Sequence, residues 1–170
     1  ALVLVVVLGR TQQEQYLDDR YRANVAPQLD AGFRSTPEWT PLQKFGKTET
    51  DSRIGVVGRA SAFGQYFFYG DDLSNHVQYL GDELRRGTFR QIDECKQLRN
   101  TINAGGYGHV VVTPRIRRET SIPPEIFWVG EDPAARAIVR TGGAAGGAGD
   151  LAGIFALEGD LDPSTCPAAE

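Results

Sequence analysis

The sequence predicts an α/β domain of the three-layer, Rossmann-like kind, with a mostly parallel sheet and a C-terminal antiparallel strand pair. Three observations carry this. Short β-branched runs at Arg53–Gly58, Val77–Gly81 and His109–Pro114 each stop at a glycine or proline. Apolar or helix-period segments lie between them, and that alternation builds parallel sheets with crossover connections. Finally, two more apolar runs, Ala135–Arg140 and Gly153–Leu157, flank the loop Thr141–Gly149, whose glycines suit a flexible hairpin connection.

In chain order, Ala1–Leu8 is a Val/Leu run closed by Gly9-Arg10. Eight residues cannot span a bilayer, which takes about 20 in a helix. The run suits either the end of a membrane helix that begins upstream or a buried strand; a signal-peptide core is a third option, but no small-residue cleavage site follows. Residues 10–24 are polar, with only Tyr16, Leu17 and Tyr21 to form an apolar stripe, which favours the membrane-helix end with aromatics near the interface. The organisation expected is therefore a membrane-proximal connector over 1–24 and one α/β domain over 25–170. Thr36-Pro37 reads as a helix start, cap then first turn. Ala60–Tyr69 is a compact apolar crossover. Phe89, Ile92, Cys95, Leu98 and Ile102 recur at three or four residues and predict an amphipathic helix over Phe89–Ala104, with glycines 105 and 106 at its C-cap. Ile122–Val129 is a short helix opened by Pro123-Pro124.

Composition narrows the function classes. A hydrophobic fraction of 41% across 170 residues belongs to a globular chain, not a disordered one. A net charge of −4 argues against binding driven by nucleic-acid phosphates. Two cysteines and two histidines are too few for a disulfide scaffold or a His-rich metal centre.

Chemistry is sparse. The glycines around Arg59 and Ser61, after the first strand, match neither a dinucleotide fingerprint nor a phosphate loop. Gly70–His76 gathers Asp71, Asp72, Ser74, Asn75 and His76. That set could be an acid–base cluster, but Asp and Asn before a strand more simply cap a loop. Arg115, Arg117 and Arg118 follow the third strand, where open α/β sheets bind ligands, so an anion site is conceivable there, but a solvated helix approach is the simpler reading. Arg59, Ser61, Asp72, Asn75, Arg115 and Arg117 are the ligand-site candidates. No catalytic residue, cofactor or metal ligand is assigned.

The run RIGVVGRASAFGQYFFYGDDLSNHVQYLG, a helix carrying a cysteine, then GGYGHVVVTP, resembles the extracytoplasmic C-terminal domain of bacterial polytopic membrane glycosyltransferases of the dolichyl-phosphate-mannose mannosyltransferase-like group. Actinobacterial members look most similar. The ending GIFALEGDLDPSTC is similar to the last strand of such domains, and YLDDRYR to their exit from the last membrane helix. The resemblance implies a non-catalytic appendage outside the cytoplasmic membrane, tethered through a helix preceding or including residues 1–8. Its partners would be the membrane-embedded remainder of the parent and a glycan or protein acceptor. The family's catalytic acids lie between its first membrane helices, so none transfers to this chain. The rival class is a free-standing hydrolase-like enzyme using the Asp71–His76 loop. In an oxidising extracytoplasmic compartment the only two cysteines, Cys95 and Cys166, are expected to pair.

Overall fold

Ile54, Val56 and Val57 open the sheet at its centre, because β-branched side chains pack well on a pleated surface buried on both faces. They lie in a computed structural model that describes residues 39–58, 64–85, 89–114, 122–142 and 150–167. Strand β1 (Arg53–Val57) pairs in parallel with β2 (His76–Tyr79) on one side and with β5 (His109–Val112) on the other. β5 then pairs antiparallel with β7 (Asp150–Leu157), which pairs antiparallel with β6 (Ala135–Gly142). The order is β2-β1-β5-β7-β6, a mixed sheet in which only β7 opposes the rest. The C-terminal antiparallel pair is thus present, and the parallel pairing is confined to one end.

Helix α1 (Trp39–Thr48) buries Leu42 and Phe45, one turn apart on the same face. Helix α2 (Cys95–Gly105) buries Leu98 and Ile102 against Val57, Val110 and Val112, and α3 (Pro124–Gly130) adds Ile126 and Val129 to the same cluster. Ile54, Val56 and Val111 alternate with these strand residues and are buried away from that cluster, as a two-residue period requires. Gly106 ends α2 at φ 60, ψ 44, a left-handed conformation that a side chain would oppose.

Two expected elements differ. The central helix starts at Cys95, not Phe89. Phe89–Arg90 forms β4, paired antiparallel with β3 (Asp82–Glu83), and Glu94 is the extended N-cap residue. Strand pairing takes Phe89 out of the helical stripe and leaves it 43% exposed, although Ile92 is still buried. Within the first crossover the described part is a short 3-10 turn, Gly64–Phe68, that buries Phe68. The Thr36 cap and the connector over 1–24 lie outside the described residues. Among the described residues, no helix is long and apolar enough to cross a membrane.

The tail is tied down in three ways. Cys95 and Cys166 stand at disulfide distance, with Cα atoms 5.8 Å apart. The Asn103 amide brackets Leu161, donating to its carbonyl at 2.8 Å and accepting its N–H at 2.9 Å. Buried Arg99 pairs with buried Asp132 at 2.9 Å and donates to the carbonyls of Trp128 and Asp162 and the hydroxyl of Thr165. Asp132 in turn accepts the N–H of Asp162 at 2.8 Å. A charge pair withdrawn from water is sustained by such additional hydrogen bonds.

Candidate functional site at the carboxyl ends of the parallel strands

β1 leads to β2 on one side, whereas β5 lands on the other side of β1. The carboxyl ends of β1 and β5 therefore form a topological switch point, where open α/β sheets leave a crevice. Local chemistry shapes this edge. Gly58 leaves β1 at φ 105, a conformation that L side chains rarely adopt. Thr113, just past β5, donates both its N–H and its hydroxyl to the Val57 carbonyl, each at 3.1 Å. From the end of β2 the Tyr79 hydroxyl donates to the Gly58 carbonyl at 2.6 Å, and its ring meets Phe89 edge-on with centroids 5.9 Å apart.

Glu125 completes the corner. Prolines 123 and 124 start α3 and place this lone acid in its first turn, 1% exposed in an otherwise apolar segment. Gln91 donates its side-chain amide to Glu125 Oε1, while Oε2 is buried with no hydrogen-bond partner among the described residues. Burial, and secondarily the Glu125 carboxylate, push the Tyr79 phenol up to about 12. Tyr79 is therefore a fixed donor at neutral pH, not a base. The corner offers an acceptor in search of a donor, a neutral amide and an exposed aromatic ring.

The sequence candidates fall into two groups. Asp72 and Asn75 precede the amino end of β2, on the far side of the strand from the switch point. The 4%-exposed Asn75 donates to the carbonyls of Glu49 at 2.7 Å and Phe68 at 3.0 Å and accepts the Ser52 N–H at 3.0 Å. Asp72 Oδ1 accepts the Ser74 N–H at 3.1 Å, an Asx turn beside Leu73 at φ 59. The loop is a clamp between α1, the 3-10 turn and β2. His109 lies at the amino end of β5, 3.7 Å from Glu49 and edge-on to Phe45. Arg59, Ser61, Arg115 and Arg117 belong to the segments that follow β1 and β5, and they lie outside the described residues. Among the described residues, no group of three or more His, Cys, Asp or Glu could hold a metal ion.

Sequence reasoning passed over Tyr79, Gln91 and Glu125. The available signal was Glu125 itself, a single acid inside the apolar segment Ile122–Val129. No protein-family model, curated protein or solved structure matches this chain.

Proposed function

We propose that this chain is the non-catalytic, extracytoplasmic C-terminal domain of a bacterial membrane glycosyltransferase, and that it assists acceptor recognition or the stability of its parent. The Cys95–Cys166 pair carries the reading. It joins α2 to a tail of low apolar content, and such a bond persists in oxidising compartments. The proposal includes a Rossmann-like, three-layer packing. Burial of Leu42 and Phe45 on α1, apart from the cluster under α2 and α3, supports it. The membrane-embedded remainder of the parent is the proposed partner, joined through a helix preceding or including residues 1–8.

The rival reading, a free-standing hydrolase acting through Asp71–His76, has less support. Asn75 and Asp72 are engaged in local hydrogen bonds that build the loop, and a general acid or base needs a side chain available to substrate. The test is to determine the coding sequence upstream of Ala1 and to fractionate cells that express the full gene. Multiple hydrophobic spans and recovery in the membrane fraction are expected. An upstream region without spans, with the protein in the soluble fraction, overturns the proposal.

A further inference from the structure

We propose that the corner built by Tyr79, Phe89, Gln91 and Glu125 is a binding site for a neutral saccharide, with Glu125 Oε2 accepting a hydrogen bond from a sugar hydroxyl. This deepens the acceptor-recognition reading above and rests on it. The starting observation is the buried Oε2, which has no hydrogen-bond partner among the described residues. Leaving such an acceptor unsatisfied is costly, so a carboxylate retained there calls for a donor. Oε1 is already held by Gln91, which fixes the carboxylate and makes Gln91 a positioning residue. The Tyr79 hydroxyl is committed to Gly58 and anchors the ring that supports Phe89.

The surroundings select the ligand class. A pyranose has an apolar C–H face and a hydroxylated edge. Phe89, 43% exposed, offers an aromatic surface two residues before Gln91, and the carboxylate and amide match the edge. Arg90 on the rim is neutralised by Asp82 at 2.9 Å, so the corner does not present a strong field to an anion. An ammonium would have to lose its hydration to reach a nearly solvent-free carboxylate, and such buried pairs gain little. The site lies at the switch point, where this sheet class places its ligands. Oε2 is shielded from solvent, so a sugar hydroxyl reaches it only where the corner opens. Affinity is reduced by the fraction of chains in the open form, and weak binding is expected.

The experiment titrates all 170 residues as one polypeptide with methyl pyranosides of mannose, glucose and galactose and follows backbone amide resonances. Shifts confined to the region of Tyr79, Gly81 and Gln91 are expected with at least one sugar. Glu125→Gln is expected to weaken binding by about tenfold or more, the loss typical of a hydrogen bond to a charged group, with thermal stability unchanged or raised. A merely structural glutamate would show lowered stability instead. Phe89→Ala, at an exposed position that folding tolerates, is expected to weaken binding by a similar factor, and it decides the matter if Glu125→Gln does not fold. Silence with all three sugars overturns the proposal, as does equal binding by the variants. So does a response of the same resonances to ethanolammonium alone, which would mark a cation site. Membrane localisation with no sugar response would defeat this inference and leave the proposed function standing. Sugar binding by a chain with no membrane parent would do the reverse.

Discussion

Tyr79 and Asn75 are both polar, partly or fully buried and hydrogen-bonded to main chain, yet they do opposite jobs. Asn75 satisfies two carbonyls and one N–H in a loop that would otherwise strand them. Asn75→Ala is expected to cost about 2–3 kcal/mol in denaturant unfolding, because buried partners lose their bonds and gain none. Tyr79 carries a pH signature. Its phenol titrates at about 12 when folded, against an ordinary 10, so the unfolded chain releases that proton first. The associated stability is fully present below pH 10 and is lost as pH rises from there towards 12. Tyr69 and Tyr107 are also raised by burial and add to the decline. In Tyr79→Phe, stability measured by denaturant unfolding should fall less steeply above pH 10; an identical slope would contradict the assignment. The sequence marked Asn75 as a candidate and overlooked Glu125. A polar cluster in a loop looks the same whether it clamps main chain or binds substrate, whereas burial of one acid depends on contacts distant in sequence.

Elements were legible where their pattern was internally sufficient. β1, β2 and β5 and the hairpin of β6 and β7 follow from β-branched runs and the glycine-rich connection. The start of α2 was misread because Phe89 fits the helical spacing by chance, while its pairing with Glu83 is set by the chain's return. The tie between α2, α3 and the tail was only half legible. Cysteine count and the family resemblance suggested the pairing, but nothing local announced Arg99 and Asp132 as a buried pair. Reducing the disulfide, which closes a separation of 71 residues, is expected to lower unfolding stability by about 4 kcal/mol on the chain-entropy account. Arg99→Met alone should cost about 3–5 kcal/mol, because it leaves Asp132 buried without a counter-charge. Adding Asp132→Leu should recover much of that loss. If the double variant is no better than the single, the cost lies in packing and not in charge.

For the whole molecule, the proposed placement is that of an accessory domain outside the cell membrane, and it rests on the tie between Cys95 and Cys166. A version beginning at Tyr21 should unfold with nearly unchanged stability if residues 1–8 end a membrane helix. If that run were a central strand, each lost Val or Leu would remove roughly 1.5–3 kcal/mol, and a thermal melt would show collapse. The extracytoplasmic placement is tested most directly by thiol labelling of intact cells that make the full-length protein, using a membrane-impermeant sulfonated maleimide. No labelling of Cys95 or Cys166 is expected until an impermeant reductant is added from outside, and labelling of the released Cys166 thiol is expected afterwards, Cys95 being buried. Labelling only after lysis, without any reductant, would show free thiols on the cytoplasmic side and contradict it.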